Sequence, residues 1–221
     1  MLRLDALAAA LGRRQRFTQS RPRRAAILLP LLGSGADLSL VLTRRSEAMS
    51  SHPGQVAFPG GVCDASDANL EATALREAHE EIGLASHDAT VLGLLDDLPS
   101  IKNDMAVSPV VARLSSHLTC SDFVANPSEV ARIFTIPLRE LQRRERWSSE
   151  TTEWRGQPFE NFSFAHDGEK LYGLSAFATL MLIAIGEPAS SAPVPSWFQP
   201  AGRRSPADSS GALGSESPPP T

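Results

Sequence analysis

The sequence predicts an α/β sandwich, and three observations support this fold class. Two apolar runs at 25–32 and 38–43 are separated by a Gly-Ser-Gly sequence, a pattern typical of a β-hairpin. A segment with helical periodicity over 69–82 ends at Gly83, a residue type that favours the left-handed position after a helix. The chain continues with further apolar runs that suit strands and with a last apolar helix over 174–185. With 221 residues and 42% hydrophobic composition, one domain with a sizeable core is expected.

The remaining elements are assigned in chain order. An N-terminal amphipathic helix is expected over 4–12, and a short strand over 55–58 leads into a glycine turn. A loop over 96–99 is expected to reach the substrate pocket. The later elements are strands at 90–95, 106–114 and 130–136, a helix that begins at Pro137, and strands at 154–164 and 170–173.

The composition argues against several classes of protein. A net charge of −4 argues against a non-specific nucleic-acid binder, although a local basic pocket is compatible with it. The two cysteines, Cys63 and Cys120, match no metal or disulfide framework and favour a reducing, cytoplasmic location. The longest apolar run, over 174–185, is too short for a membrane span. We therefore expect neither a nucleic-acid partner nor a membrane partner.

The composition changes near Glu187. The last 35 residues contain eight of the 17 prolines together with many serines, alanines and glycines. Such a segment buries too little apolar area to offset the entropy lost on ordering. The sequence therefore predicts a domain over 1–186 and a disordered tail over 187–221, and we expect deletion of the tail to leave activity intact.

Three glutamates lie within five residues of the predicted helix: Glu77, Glu80 and Glu81. Because a helix turns once in about 3.6 residues, all three are expected to project from one side. Like charges at this spacing repel each other, and a divalent cation such as Mg²⁺ or Mn²⁺ would turn the repulsion into attraction. A glutamate-rich helix face alone is as often simply solvated, so the assignment depends on the neighbouring residues.

The segment before the helix supplies those neighbours. Gly60 and Gly61 end an apolar run and form a tight turn where the backbone can approach a ligand closely. Asp64 and Asp67 follow, and they either hold waters around a metal or cap the loop. A helix that starts near Asn69 would direct its free amide groups toward the same region. Glycine turn, aspartates and glutamates together predict a metal and phosphate site.

The stretch over 58–84 resembles the Nudix box, G-x5-E-x7-R-E-U-x-E-E-x-G-U, in which U is bulky and apolar. Gly61 matches the first glycine, and REAHEEIGL matches the second half, with Ala78 at the first U. Asp67 stands where the box has glutamate, and one extra residue separates it from Arg76. Both departures are familiar in the coenzyme A pyrophosphatase branch, whose box reads GGxxDxxD…ALREAxEE. The resemblance implies a Nudix-type α/β/α sandwich with a mixed central sheet.

A second signature upstream resembles the same branch, whose pattern is L-L-T-x-R-[SA]-x3-R-x3-G-x3-F-P-G-G. Ser50 stands where this pattern has its second arginine. If that arginine holds a substrate phosphate, coenzyme A binds more weakly here, or Lys102 or Arg44 takes its place. The matching positions, which the resemblance implies as substrate-binding residues, are Arg45, Ser46, Gly54, Phe58, Gly60 and Gly61.

The resemblance implies metal-dependent hydrolysis of the pyrophosphate bond of coenzyme A or acyl-CoA, giving 3′,5′-ADP and (acyl-)4′-phosphopantetheine. It implies Mg²⁺ or Mn²⁺ as cofactor, with Glu77 and Glu81 as principal ligands. Glu80 is expected to be a third ligand or the general base, and Arg76 to orient the carboxylates. Glu129 is either another acidic site residue or an ordinary loop glutamate. The expected partner is a small-molecule substrate, and a homodimer stays open.

Two other functions stay open at this point. A Nudix enzyme of different specificity could cleave ADP-ribose, NADH or a dinucleoside polyphosphate, because the box determines the anhydride chemistry and leaves the leaving group free. Ser50 favours this alternative and the rest of the upstream signature opposes it. In a different class, the domain could sense a nucleotide without hydrolysing it, although retention of all three glutamates argues against a sensor.

Overall fold

The computed structural model describes residues 2–100, 104–154 and 157–195, so most of the predicted tail lies outside the described residues. The helices are α1 (Leu4–Arg13), α2 (Leu70–Ile82), α3 (Leu138–Leu141) and α4 (Gly173–Gly186). The strands are β1 (Arg23–Leu32), β2 (Ser39–Arg45), β3 (Val56–Ala57), β4 (Gly60–Val62), β5 (Ala89–Leu94), β6 (Leu98–Ser100), β7 (Met105–Leu114), β8 (Val130–Pro137), β9 (Trp147–Trp154), β10 (Gln157–His166) and β11 (Glu169–Tyr172).

Eight of these strands form a mixed central sheet, as predicted. Its main order is β3-β2-β1-β7-β5, with β8 beside β2, β4 beside β1 and β6 beside β7. The β1–β7 pair is parallel, whereas the predicted β1–β2 hairpin is antiparallel and pairs Leu31 with Leu40. The pairing of β1 with β7 joins strands that are far apart in sequence at the middle of the sheet.

Helices cover both faces of the central sheet, which makes the predicted sandwich. Alternate residues of β1 point to opposite faces, so Leu28 is buried against α2 while Leu29 belongs to the core under α1 and α4. Helix α4 is buried on all sides, which agrees with its almost entirely apolar sequence. In the part of the chain that the structure describes, none of the helices combines the length and apolar character that crossing a bilayer requires.

The two strands of the hairpin separate toward their open end, and this separation positions the site. Near its start β1 pairs with β4, with Ala26 opposite Gly61 and Ile27 opposite Gly60. The corresponding end of β2 pairs with β3 and β8 instead. The glycine turn therefore enters the sheet between the two arms of the hairpin.

The region after α3 differs from the prediction. The strand expected over 154–164 is wrong in its bounds, because β9 spans Trp147–Trp154 and β10 spans Gln157–His166. Together with β11 these strands form a separate antiparallel sheet in the order β11-β10-β9. The prediction missed β9 because all six residues of its sequence SSETTE are exposed and polar, so the segment has no alternating hydrophobic pattern.

The loop expected over 96–99 has a different role at its acidic end. Asp97 is 2% exposed and accepts hydrogen bonds from Arg24, from the Gln19 backbone and from Ser108. Asp96, also buried, forms a two-pronged ion pair with Arg14 at 2.8 and 2.9 Å. The two aspartates therefore anchor the segment after α1 and do not reach the pocket, where Pro99 alone of this loop arrives, with Ser100 after it.

Candidate active site

Helix α2 carries the acidic residues and is capped at both ends. Asn69 accepts a hydrogen bond from the Ala72 N–H at 2.8 Å, which confirms the predicted helix start. At the other end Gly83 takes a left-handed conformation with φ of 70°, and the Leu84 N–H bonds back to the Ala78 carbonyl. These caps fix where the helix begins and ends, and hence which residues face the sheet.

The three glutamates of α2 differ in exposure although they are close in sequence. Glu81 is 4% exposed, Glu77 is half-buried, and Glu80 has 53% of its side chain exposed. The expectation that all three share one side therefore holds for Glu77 and Glu81, which face the glycine turn, while Glu80 lies toward solvent. His79 is exposed, in agreement with its interpretation as an ordinary helix residue.

Arg76 joins the helix to the loop before it. Its guanidinium donates to Glu77 at 2.9 Å and to Glu80 at 3.2 Å, and two further N–H groups bond to both oxygens of Asp67. The same group reaches the Val62 carbonyl at the end of β4. Such a fork of donors holds carboxylates in fixed positions.

The carboxylates of the two loop aspartates accept hydrogen bonds from backbone N–H groups of the same loop. Asp67 accepts from the Asp64 N–H and from the Thr73 hydroxyl in addition to Arg76, and these bonds hold its pKa well below the usual range. Asp64 accepts from the Ser66 N–H and hydroxyl, which is an Asx-turn arrangement. Of the two interpretations open for these residues, the geometry favours loop capping.

The glycine turn lies against the acidic face so closely that no side chain fits. A Cβ on Gly61 would lie 2.5 Å from the Glu77 carboxyl carbon, and one on Gly60 would lie 2.4 Å from the Ala26 carbonyl oxygen. Gly60 also has φ of 157° and donates its N–H to the Glu81 carboxylate. Gly61 is thus required by the approach to the Glu77 carboxyl, and Gly60 by its packing on Ala26 of β1.

Burial and neighbouring charges disfavour the ionised form of the two inner glutamates. Loss of hydration raises the pKa of Glu81 to about 8, with Glu77 and Glu129 adding repulsion and Arg45 opposing it. Burial also raises the pKa of Glu77, and the Arg76 guanidinium partly offsets this effect. Glu129 therefore acts electrostatically on the acidic pair, which the sequence left undecided.

A cavity of about 230 Å³ opens beside the glycine turn, on the α4 side of the sheet. Its polar side includes Arg45 at the end of β2 and His52 in the following loop, where His52 has φ of 53°. Its other side is mainly apolar and is formed by β1, β6, β7 and the start of α4. The lining residues are Ala25, Ile27, Arg45, Ser51, His52, Gln55, Ala57, Phe58, Gly60, Gly61, Val62, Pro99, Ser100, Met105, Val107, Leu174 and Ser175.

The upstream signature contributes to this cavity in part. Arg45, Phe58 and the two glycines line it, whereas Ser46 and Gly54 lie outside its described lining. Ser46 instead donates its backbone N–H to the Glu129 carbonyl at 2.8 Å. Gly54 has φ of 68° at a turn where a Cβ would lie 2.6 Å from the carboxylate of Glu47. These two residues shape the loop that carries Ser51 and His52 to the cavity.

The arginine missing at Ser50 has no substitute in Arg44. That side chain lies 3.7 Å from Glu169, which also binds Arg132, and it lies outside the described lining of the cavity. Lys102, the other candidate, lies outside the described residues. Ser50 itself is exposed, while His52 two residues later lines the cavity.

The sequence analysis did not predict the part of the cavity that β7 and α4 form. Leu174 and Ser175 begin α4, about a hundred residues after the box, and Met105 begins β7. The signal that was present is a serine in the first turn of an otherwise apolar helix. His52 gave no signal, because its loop contains Ser, His, Pro and Gly in no recognisable pattern.

The donor set fits a hard divalent cation. The carboxylates of Glu77 and Glu81 supply oxygen ligands. Burial first, and repulsion from neighbouring carboxylates second, raise the pKa of both groups, and a cation beside them would offset both effects. Among the described residues no three Asp, Glu, His or Cys side chains already form a metal-ligating cluster.

This chain is similar to known proteins of one family. The profile of the Nudix domain matches residues 21–155, which is more than half of the chain. An uncharacterized Nudix hydrolase, NudL of Photorhabdus laumondii, is 40% identical over 154 residues, covering 70% of this chain and 80% of the relative. A NudL of Enterobacter sp. strain 638 is 40% identical over 134 residues, covering 61% and 67% respectively.

A solved structure of the Nudix hydrolase RenU from M. smegmatis has 25% identity and a TM-score of 0.43, covering 53% of this chain and 71% of that one. The global similarity of the two folds is too low to add to the sequence match. The profile match and the NudL relatives define the class by themselves. The chain belongs to the Nudix hydrolase family.

Proposed function

We propose that this protein hydrolyses the pyrophosphate bond of coenzyme A or an acyl-CoA, giving 3′,5′-ADP and (acyl-)4′-phosphopantetheine. The observation that carries the proposal is the convergence of two separate sequence signatures. Arg45, from the upstream signature, lines the same cavity as Gly60, and Gly60 donates its N–H to Glu81 of the box helix. Residues far apart in sequence thus meet where a substrate phosphate would lie beside the acidic pair.

The acidic pair is the proposed metal site, with Glu77 and Glu81 as ligands and Mg²⁺ or Mn²⁺ as the ion. When bound, the ion would neutralise phosphate charge, polarise the phosphoryl oxygens and lower the pKa of a bound water. Arg76 holds Glu77 and Glu80 through its hydrogen bonds and so fixes the direction in which both carboxylates present their oxygens. Glu80, which is exposed, is our candidate for accepting the proton of the attacking water.

Arg45 is the proposed phosphate-binding group. It is the one arginine among the described lining residues, and its Nε donates to the Ser51 carbonyl at 3.3 Å, so part of the guanidinium is already oriented. A guanidinium matches the geometry of two phosphate oxygens. His52 also lines the cavity. Its imidazole lies two residues after Ser50, the position where the related signature has arginine.

A Nudix hydrolase of other specificity is the second candidate, and Ser50 is the observation that favours it. Without an arginine at this position the cavity has fewer cations for a substrate with three phosphates. ADP-ribose and NADH carry a diphosphate alone and would need fewer. A nucleotide sensor remains the third candidate, and turnover separates it from both enzymes.

A substrate panel tests these candidates. Pure protein is incubated with Mg²⁺ or Mn²⁺ and with coenzyme A, acetyl-CoA, ADP-ribose or NADH, and the products are identified by mass spectrometry. We expect 3′,5′-ADP from coenzyme A and acetyl-CoA at rates well above any cleavage of the other two. Preferential cleavage of ADP-ribose or NADH would retain the metal site and discard the coenzyme A assignment. Binding without cleavage of any compound would identify a sensor.

A further inference from the structure

Part of the cavity lining is built by β6, β7 and the start of α4. Six residues define this part, which we call the α4 wall: Pro99, Ser100, Met105, Val107, Leu174 and Ser175. None of these described residues carries a charged side chain. The α4 wall thus differs from the part of the lining that contains Arg45 and His52.

The first turn of α4 presents backbone donors to this wall. A helix leaves its first N–H groups without partners inside the helix. At α4 the residue before the helix, Tyr172, makes no side-chain cap, and no described group outside the helix bonds to the N–H of Gly173, Leu174 or Ser175. A helix of 14 residues also directs a partial positive charge to this end.

Ser175 supplies an independent second observation. Its residue is 6% exposed, its side chain lines the cavity, and its hydroxyl has no hydrogen-bond partner among the described residues. Thr179, one turn later, shows the usual arrangement, since its hydroxyl donates to the Ser175 carbonyl at 2.8 Å. A hydroxyl that borders a cavity and has no protein partner is free to bond to a ligand that enters the cavity.

The surroundings indicate which ligand chemistry fits. Desolvating a phosphate dianion against proline, methionine, valine and leucine side chains would cost far more than desolvating a neutral carbonyl. A helix terminus and a hydroxyl together provide donors for a carbonyl oxygen, while the apolar side chains suit the methylene groups on either side of it. A nucleobase would be served better by an aromatic surface, which the α4 wall lacks in its described residues.

We propose that Ser175 and the first turn of α4 bind an amide or thioester carbonyl of an uncharged, largely aliphatic arm of the substrate. The assignment rests on the proposed function, in which this arm is the pantetheine part of coenzyme A. It names Ser175 and Leu174 as residues that determine specificity. The diphosphate and the 3′-phosphate would then lie toward Arg45 and the acidic pair.

The test uses binding as well as turnover. Isothermal titration with Mg²⁺ present measures the affinity of the full-length protein for 4′-phosphopantetheine and, separately, for 3′,5′-ADP. Ser175→Ala removes the hydroxyl, and Leu174→Asp places a carboxylate at the helix start, where it would occupy the free N–H groups and repel an acceptor. Ser149→Ala, an exposed serine on β9, is the matched control.

We expect Ser175→Ala to weaken 4′-phosphopantetheine binding about three- to tenfold, the effect of losing one hydrogen bond, and Leu174→Asp to weaken it further. Affinity for 3′,5′-ADP should stay unchanged in both variants, and Ser149→Ala should match the original protein. Unchanged binding of 4′-phosphopantetheine in Ser175→Ala, or a selective loss of 3′,5′-ADP binding, would overturn the assignment. The same holds if the original protein binds no 4′-phosphopantetheine.

These outcomes are independent of the proposed reaction. If coenzyme A is hydrolysed and Ser175→Ala changes neither the affinity for 4′-phosphopantetheine nor the KM for coenzyme A, the reaction stands and the α4 wall assignment fails. If coenzyme A is not hydrolysed but 4′-phosphopantetheine binds in a manner that depends on Ser175, the assignment stands and the reaction fails.

Discussion

The carboxylates of α2 show how burial separates residues that the sequence places side by side. Glu81 and Glu80 are neighbours, yet one is almost fully buried and the other extends into solvent. The buried one accepts the N–H of Gly60, and its burial, together with its like-charged neighbours, makes ionisation costly in the absence of a cation. A metal ion would offset that cost, so we assign the ligand role to the buried pair.

Substitution of either proposed ligand should abolish most of the activity. Glu81→Gln and Glu77→Gln keep the size of the side chain and remove its charge, so turnover should fall by at least roughly a hundredfold at saturating Mg²⁺. Glu71→Gln, in the first turn of the same helix, should retain near-original rates. The measurement is steady-state hydrolysis of the preferred substrate, and rates like those of the original protein in the first two variants would refute the metal assignment.

Glu81 should also make the metal-free protein less stable as pH rises. Its pKa is about 8 in the folded protein against an ordinary value of 4.5, so the folded state holds the proton more tightly than the unfolded state. The free energy of unfolding is therefore highest below about pH 4.5, as far as this group is concerned, and falls between there and about pH 8. Glu81→Gln should flatten this fall.

Thermal unfolding in EDTA from pH 5 to pH 8 checks this prediction. Glu77, whose pKa burial also raises, should leave a smaller fall in the Glu81→Gln protein. Added Mg²⁺ should restore stability most at the high end of the range, because it binds the ionised carboxylates of the folded state. Identical pH profiles for the original and variant proteins would contradict the assigned cause.

Gly61 should be intolerant of even one methyl group. A Cβ there would lie 2.5 Å from the Glu77 carboxyl, so Gly61→Ala must displace that side chain and should lower turnover by at least roughly tenfold. Gly12 in α1 is the matched control, because no atom lies within 4 Å of a Cβ built on it. Gly12→Ala should keep full activity and gain about 0.5–1 kcal/mol of stability, as measured by denaturant unfolding. Full activity of Gly61→Ala would show that the contact is unimportant.

The box residues could be predicted from the sequence because they lie on one helix and one turn. Their spacing determines which of them share a face, and short-range rules also gave Asn69 and Gly83 as the ends of the helix. Ser175 and His52 could not be predicted in the same way. Their presence in the cavity depends on strand pairing and on the path of a loop, which local patterns do not encode.

At the scale of elements, the loop over 96–99 has a different role in the structure from the one predicted from the sequence. This loop, which follows a predicted strand, was expected to reach the substrate pocket. Its aspartates instead bind arginines from the segment over 14–24, about eighty residues earlier in the chain. Ion pairs between residues so far apart in sequence depend on the tertiary fold, and no periodic pattern in the sequence indicates them.

Breaking this network should destabilise the fold without touching the site. Asp97→Asn leaves Arg16 and Arg24 without their buried partner, so the free energy of unfolding should drop by about 2–3 kcal/mol. Asp37→Asn, whose side chain is 91% exposed beside Arg139, should stay within about 0.5 kcal/mol. Denaturant unfolding of the two variants measures both values, and equal stability would mean that the network contributes nothing.

At the scale of the whole molecule, the domain boundary is the prediction still to be tested. The composition placed it after residue 186, yet the described chain contacts the domain beyond that point. Ser190 and Ser191 donate to the Gln142 carbonyl, and Ala192 is 8% exposed within the core around α4. The contacts therefore extend the domain at least to Ala192.

Two truncations test the boundary. A chain that ends at 195 should keep the melting temperature and activity of the full protein, because it retains every contact named above. A chain that ends at 187 should keep its site but melt lower by a few degrees, since a loss of about 1 kcal/mol lowers Tm by about 2–4 °C in a domain of this size. Loss of activity in the longer truncation would place part of the tail in the pocket.

The central claim is that this Nudix fold cleaves coenzyme A within its diphosphate, using the acidic pair on α2. The most direct measurement is mass-spectrometric product analysis after incubation of coenzyme A and Mg²⁺ with the original protein and, in parallel, with Glu81→Gln. We expect equal amounts of 3′,5′-ADP and 4′-phosphopantetheine with the original protein and almost none with the variant. Intact coenzyme A after incubation with the original protein, under conditions in which the same preparation cleaves ADP-ribose, would contradict it.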